Sequence, residues 1–238
     1  MKLLLKILKK ISIVFVWPVL ILLIAYGASV SKKYQKNPKG YTLDERYAIF
    51  ERASKLYYYV NSLSYEFETK TKVANRPTLF IANHKSALDP LVILHWVKYN
   101  VGSKYTIIAK KELEKGLLGN LLKLIDVIFL DRDNLRQMFA SIEKQKELLK
   151  DGRSILIFPE GQRNKDNEFL EFKSGSFEVA YRSFVPIQPI VIKYKDKSTA
   201  KLEILEPIKH AKYMNVKRDI LSKNLQKTMQ KEFDRILF

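Results

Sequence analysis

His84 and Asp89 lie five residues apart in Asn83-His84-Lys85-Ser86-Ala87-Leu88-Asp89, directly after the apolar run Leu79-Phe80-Ile81-Ala82. The run reads as a buried strand, and a carboxylate at that spacing can hold one ring nitrogen of a histidine at the strand's end. The other nitrogen is then free to take a proton from a hydroxyl, and an unperturbed imidazole, titrating near ~6.5, suits that work at neutral pH. Asp89 would fix the tautomer and stabilise the imidazolium. Together with Pro90 it also looks like a helix start, which it can cap. A second polar group, Phe158-Pro159-Glu160-Gly161-Gln162-Arg163, follows the strand-like run 154–158. Gly161 permits close backbone approach or a positive φ. Glu160 and Arg163 supply a carboxylate and a fork-shaped cation, and arginine grips phosphate with two parallel hydrogen bonds. Taken singly, each group is also compatible with an ordinary loop histidine or a solvated charged turn.

Two more stretches complete a series. Ile128-Phe129-Leu130-Asp131-Arg132 closes an apolar run on a cation, and Val185-Pro186-Ile187-Gln188-Pro189 brackets an apolar strand with prolines. The four stretches, in this order over residues 83–192, resemble the motifs of the glycerolipid acyltransferase family, the enzymes that acylate lysophosphatidate. Those motifs are His-four residues-Asp, a strand-end arginine, Phe-Pro-Glu-Gly-Thr-Arg, and Val-Pro-Ile-x-Pro. The chain departs from the third at Gln162, where the family has threonine; glutamine still donates and accepts hydrogen bonds.

The resemblance implies a 1-acylglycerol-3-phosphate O-acyltransferase that moves an acyl group from a thioester to the 2-hydroxyl of lysophosphatidate, giving phosphatidate for phospholipid synthesis. His84 and Asp89 would be the catalytic pair. Arg132, Glu160, Gly161, Arg163 and Lys173 would form the substrate-phosphate site. Val185, Pro186, Ile187 and Pro189 would line the acyl pocket or serve structure. Lys173 belongs to Phe172-Lys173-Ser174-Gly175-Ser176, a turn before a helix whose amide-rich start can add anion binding, with Lys110 and Lys111 as further candidates. Backbone N–H groups near Gly161 are candidate donors to a tetrahedral oxyanion. The acyl donor is expected on acyl carrier protein or coenzyme A, and no metal or cofactor is expected, since a thioester is already activated. A sibling enzyme acting on glycerol 3-phosphate or another lysolipid would carry the same core. A catalytically silent lipid-binding protein is the reading from a different class, and His84→Ala would leave its function intact. His95 and His210 fit no motif and read as structural or solvated.

The elements that must position these groups alternate. Strands are expected at 65–69, 78–82, 105–109, 127–130, 154–158, 187–192 and 202–205. Helices are expected at 88–99, 112–125, 134–150, 176–182 and 216–237. This alternation predicts an α/β domain over residues 62–238, with a mostly parallel central sheet flanked by helices; the resemblance implies the glycerolipid acyltransferase fold. In the 134–150 helix, Leu135, Met138, Phe139, Ile142 and Leu149 share one stripe, Asn134 caps the start, and Asp151-Gly152 stops it.

The first 61 residues read as a membrane-anchoring helical region. Residues 11–30 carry no charge, and at 1.5 Å per residue they just span a hydrocarbon core of ~30 Å. Four lysines flank each side (Lys2, Lys6, Lys9, Lys10; Lys32, Lys33, Lys36, Lys39), so charge gives no orientation. Pro18 could break the run into a re-entrant pair. Monotopic attachment at the cytoplasmic face is favoured over a single span. A second helix at 42–61 carries Thr42 and Glu45 as a capping box and a broad tyrosine-rich face, suited to core packing or to the headgroup level. The net charge of +18, from 43 Lys and Arg against 25 Asp and Glu, favours an anionic membrane surface and an acidic carrier. Without a zinc-finger, RNP-like or basic-zipper pattern, no nucleic-acid partner is expected. The chain has no cysteine, which removes disulfides, thiolate nucleophiles and thiolate metal sites.

Overall fold

In chain order the elements are α1 (Lys2–Lys36), α2 (Leu43–Val60), β1 (Ser64–Thr69), β2 (Leu79–Ala82), α3 (Asp89–Trp96), β3 (Tyr105–Lys110), α4 (Gly116–Lys123), β4 (Ile128–Leu130), α5 (Leu135–Lys150), β5 (Ser154–Ile157), α6 (Glu178–Ser183), β6 (Ile187–Tyr194), β7 (Thr199–Ile204), α7 (His210–Tyr213) and α8 (Arg218–Arg235). In this computed structural model, residues 2–131 and 134–238 are described, with side chains for 12–131, 134 and 136–238. They gather into two units, Met1–Leu63 with Ala109–Phe129, and Ser64–Ile108 with Leu130–Phe238.

In the first unit α1 runs unbroken through Pro18, so the proline does not split the run into a pair. A proline removes one hydrogen bond and adds a ring clash, and 35 residues of helix absorb that loss. The stretch Ser12–Lys36 is long and apolar enough to cross a membrane, by length and composition. Its apolar side chains are largely uncovered, with Phe15 72% and Leu22 69% exposed. One face packs on α4, where a side chain at Gly27 would come within 2.6 Å of the Leu121 Cδ1. α2 opens on the expected capping box: the Thr42 hydroxyl accepts from Glu45 N–H, and the Glu45 carboxylate accepts from Thr42 N–H at 2.7 Å. Arg46, buried on α2, donates to the Leu124 carbonyl and pairs with Asp126 at 3.0 Å.

The sheet has seven strands in the order β1-β7-β6-β2-β5-β3-β4. β2 pairs in parallel with both β5 and β6, β3 with β5, and β1 with β7; β6 and β7 form an antiparallel hairpin. Every residue of β2 and β5 is buried, as expected of strands covered on both faces. The interior strand β6 nevertheless contains Pro189, which cannot donate to the ladder. Leu205 N–H still reaches the Pro189 carbonyl at 3.1 Å. The Leu205 carbonyl, deprived of its return bond, accepts instead from the Gln188 side chain at 2.6 Å. The neighbouring side chain thus replaces the donor that proline lacks.

Helix α5 is capped by Asn134, whose side chain accepts from Gln137 N–H. It closes with Gly152 N–H on the Leu149 carbonyl and Arg153 N–H on the Leu148 carbonyl, a Schellman motif in which Gly152 takes φ +86°. Its buried face is Ser141, Gln145, Leu148 and Leu149, whereas Phe139 is 64% exposed. The expected stripe is therefore only partly covered. Helix α8 packs on β6 in the same unit.

Candidate active site

The site forms where two adjacent strands end. In β2 and β5 an offset of 76 residues pairs Ile81 with Ile157. The same offset sets His84 opposite Glu160, beyond the last ladder pair, and His84 N–H donates to Glu160 Oε1 at 2.8 Å. On the other side of β2, Asn83 bridges to β6 with its side chain: Nδ2 donates to the Ile192 carbonyl at 2.9 Å and Oδ1 accepts from Ile192 N–H at 2.8 Å. The two residues just past β2 are thus held from both neighbouring strands as the chain leaves the sheet. Carboxyl ends of parallel strands are the usual place for ligand sites in open α/β sheets.

His84 and Asp89 meet as expected. His84 Nδ1 lies 2.8 Å from Asp89 Oδ2. That same oxygen accepts from Lys85 N–H at 2.5 Å and Ser86 N–H at 2.8 Å. Asp89 is fully buried as the first residue of α3, and its Oδ1 has no hydrogen-bond partner among the described residues. The carboxylate therefore concentrates its interactions on the oxygen that faces the imidazole. Two backbone amides fix that oxygen, and it in turn favours Nδ1–H, leaving Nε2 as the acceptor. The His84 side chain is 18% exposed, and its ring stacks on Phe158 with centroids 4.1 Å apart. The backbone is clamped as well, since Asn164 N–H donates to the His84 carbonyl at 2.7 Å.

The family resemblance places Glu160 among the phosphate ligands, whereas its surroundings are those of a brace. It is 2% exposed; one carboxylate oxygen takes His84 N–H and the other takes Leu170 N–H at 3.0 Å. Gly161 takes φ +76°, the left-handed conformation that favours glycine. Its N–H is committed to the Phe158 carbonyl at 3.0 Å, so Gly161 itself offers no donor to an oxyanion. The N–H groups of Gln162 and Arg163 make no hydrogen bond among the described residues.

Arg163 and Lys173 are exposed. Neither side chain makes a hydrogen bond or ion pair among the described residues, and Lys173 is tied to the same loop by its N–H on the Pro159 carbonyl. Arg132 lies outside the described residues. Lys110 and Lys111 belong to the first unit. Val185, Ile187 and Pro189 form part of the β6 framework: Val185 and Ile187 are buried, Pro186 accepts from Leu79 N–H, and Pro189 pairs with Ile81. His95 sits edge-on to Tyr65 and tilted against Tyr99, and His210 sits edge-on to Phe184 and Tyr213. Among the described residues no group of three or more His, Asp or Glu converges as a metal site.

Three contributors escaped the sequence reading. Phe158 reads in the sequence only as part of a motif, and its stacking on His84 follows from the tertiary fold. Asn164 reads as a loop asparagine. Lys85, next to His84, donates to the Asp166 carbonyl and lies over the rings of Phe169 and Phe233. Burial pushes its ammonium pKa down, and the carboxylates of Glu160, Asp166 and Asp89 oppose that shift.

Residues 64–193 match the protein family described as Acyltransferase. The chain belongs to the acyltransferase family. The matched span runs from β1 into β6 and holds every residue of the His84–Asp89–Glu160 arrangement; α8 lies beyond it. Among curated relatives of the family, a probable 1-acyl-sn-glycerol-3-phosphate acyltransferase of Mycoplasma pneumoniae is 38% identical over 189 residues, covering 79% of this chain and 71% of the relative. The corresponding protein of Mycoplasma genitalium is 35% identical, covering 76% and 68%. A 1-acyl-sn-glycerol-3-phosphate acyltransferase of Borreliella burgdorferi is 32% identical over 48% of this chain and 44% of its own. The fold resembles the crystal structure of the 1-acyl-sn-glycerophosphate acyltransferase PlsC from Thermotoga maritima, with a TM-score of 0.67 over 97% of this chain and 96% of that one, at 22% identity.

Proposed function

We propose that this acyltransferase moves a fatty acyl group from a thioester to the 2-hydroxyl of lysophosphatidate, forming phosphatidate for phospholipid synthesis. The observation that carries the reading is the His84–Asp89 pair, with Asp89 Oδ2 anchored by two backbone amides and His84 Nε2 left to act. The names of the relatives supply the acceptor class. His84 Nε2 takes the hydroxyl proton as the oxygen attacks the thioester carbonyl. The tetrahedral oxyanion forms, the C–S bond breaks, and the imidazolium returns its proton to the departing thiolate. The products are the ester and a free thiol. Asp89 stabilises the charge on the ring while the proton resides there.

The open N–H groups of Gln162 and Arg163 are the oxyanion donors we assign. The exposed cations Arg163 and Lys173, with Arg132, would receive the acceptor phosphate. The thioester, on acyl carrier protein or coenzyme A, needs no further activation by metal or prosthetic group. α1 anchors the protein at the cytoplasmic face of the membrane, where the lysolipid presents its hydroxyl at headgroup depth. The net charge of +18 would gather anionic lipid there.

The test is purified full-length protein in vesicles containing lysophosphatidate, with acyl carrier protein and coenzyme A thioesters side by side and His84→Ala in parallel. Phosphatidate and free thiol should appear in equal amounts. The variant should fold and lose about 10²–10⁴-fold in rate, the usual contribution of a general base. Equal turnover by variant and parent would remove His84 from the mechanism, and transfer only to glycerol 3-phosphate would reassign the acceptor.

A further inference from the structure

The segment 164–172 belongs to neither helix nor strand, yet it holds the catalytic histidine at several points. Asn164 N–H donates to the His84 carbonyl. The Asp166 carbonyl accepts from the Lys85 ammonium. Leu170 N–H donates to Glu160, whose other oxygen takes His84 N–H. A segment without ladder partners must have its own backbone groups satisfied from elsewhere to keep one conformation.

Helix α8 supplies those partners through one row of side chains four residues apart. Ser222 Oγ donates to the Phe172 carbonyl at 2.6 Å. Gln226 Oε1 accepts from Phe172 N–H at 3.1 Å, and its Nε2 donates to the Phe169 carbonyl at 3.4 Å. Gln230 Oε1 accepts from Phe169 N–H at 2.8 Å, and its Nε2 donates to the Asn167 carbonyl at 3.0 Å. Residues four apart lie on one helix face, so a straight row can imitate the edge of a strand. The contacts alternate in direction. Phe169 and Phe172 turn their backbone groups to α8, whereas Leu170 between them turns its N–H to Glu160. Phe169 also packs edge-on against Phe233 of α8, with centroids 5.2 Å apart.

We propose that Gln226 and Gln230 are positioning residues for His84, acting through 167–172 and Glu160. The proposal rests on the reaction given above for His84, and it concerns a helix outside the matched family span. A side-chain amide suits the task because it accepts and donates at once. Loss of the row frees Leu170, loosens one of the two ligands of Glu160, and lets the His84 backbone drift from the geometry that Asp89 sets. A misplacement of about 1 Å at a catalytic group costs on the order of 10²-fold in rate.

The experiment uses the full-length protein with the double variant Gln226→Leu/Gln230→Leu, the single Gln230→Glu, and Met229→Ala as a control. Met229 is fully buried on α8 and touches the same helix's stability without any hydrogen bond to the segment. Glutamate keeps the acceptor for Phe169 N–H. The double variant should lose about 10- to 100-fold in kcat with KM for lysophosphatidate changed less than about threefold. Gln230→Glu, which keeps that acceptor but sets a carboxylate against the Asn167 carbonyl and the Asp234 carboxylate, should lose part of the rate, and Met229→Ala should retain it at a matched loss of Tm. Amide hydrogen exchange at His84 and Leu170 should quicken in the double variant and not in the control.

Two results overturn the proposal: unchanged exchange at His84 in the double variant, or a kcat loss in Met229→Ala equal to that of the double variant. If the parent transfers no acyl group, the assigned reaction fails, and the exchange at His84 still decides the positioning role.

Discussion

Asp89→Asn separates two ways in which the carboxylate can serve His84. Oδ2 accepts three hydrogen bonds, from His84 Nδ1 at 2.8 Å, Lys85 N–H at 2.5 Å and Ser86 N–H at 2.8 Å. Two of those donors are backbone amides and cannot turn into acceptors. An asparagine must therefore place its oxygen in the Oδ2 position, because its NH₂ there would face N–H groups. The amide oxygen still selects Nδ1–H, so the histidine keeps Nε2 free. What is lost is the negative charge next to the imidazolium. A unit charge pair at about 4 Å is worth ~4 kcal/mol at an effective dielectric of 20, and only part of that charge has developed in the transition state. We therefore expect kcat to fall about 10²–10³-fold. A change of tautomer would cost more, on the order of 10⁴-fold in a serine-protease triad.

The same substitution has a stability signature. The NH₂ must occupy the Oδ1 position, which is buried with no hydrogen-bond partner among the described residues. An unsatisfied buried donor costs about 1–3 kcal/mol, and three charge-assisted bonds become neutral at roughly 1 kcal/mol each. Release from burying a charge offsets part of this. The net loss should be about 2–4 kcal/mol, read as a lower urea midpoint at unchanged slope. Acyl transfer and urea unfolding would be measured on the parent, Asp89→Asn, Asp89→Ala and His84→Ala. A rate for Asp89→Asn within about tenfold of the parent would refute the electrostatic role, and a loss as deep as 10⁴-fold would refute the backbone-anchored orientation of the amide.

Arg163→Ala should raise KM for lysophosphatidate about 10- to 100-fold, the worth of one charge-assisted contact, with little effect on an uncharged monoacylglycerol; equal losses on both acceptors would exclude a phosphate role. Thr42→Ala should cost about 1 kcal/mol in urea unfolding at pH 7 through the lost cap. The backbone N–H of Thr42, then its hydroxyl, holds the Glu45 carboxyl below its ordinary 4.5. The stability from that group is present above 4.5 and disappears as pH falls through the lower folded value; Glu45→Gln, which cannot titrate, should flatten this acid sensitivity, and a parent and Glu45→Gln equally sensitive to acid would contradict the capping box. Burial, then the Glu68 carboxylate paired with it across β1 and β7, holds the Glu203 carboxyl above 4.5. The folded state keeps that proton longer than the unfolded chain, so stability falls as pH rises from 4.5 through the folded value; Glu203→Gln should remove this slope and raise Tm at pH 7 by less than about 4 °C.

The sequence exposes what is local and hides what depends on register. The His84–Asp89 pair was legible because both residues lie in one turn between a strand and a helix, so five residues of spacing nearly determine the contact. The Thr42 and Asn134 caps and the Gly152 stop were legible for the same reason, and each forms, Thr42 with its expected partner Glu45. The buried face of α5 was not. Periodicity reports an apolar stripe but not what covers it, and Phe139 stands exposed while Ser141 and Gln145 are buried. Pro18 left two outcomes open, a broken pair or one helix with a tolerated proline, and α1 continues through it.

Glu160 shows the limit most sharply. Its type and its arginine neighbour suggest a ligand for phosphate or its counter-charge. Its task follows instead from the 76-residue offset between β2 and β5, which carries past the last ladder pair and sets the carboxylate opposite His84 N–H. A parallel strand end leaves amides without partners, and a side chain with two acceptor oxygens can bind one amide on each side. Glu160 does so, joining His84 to Leu170. The chemistry at one strand's end is therefore held by the register of the next, and that register is fixed by the whole buried sheet rather than by any motif.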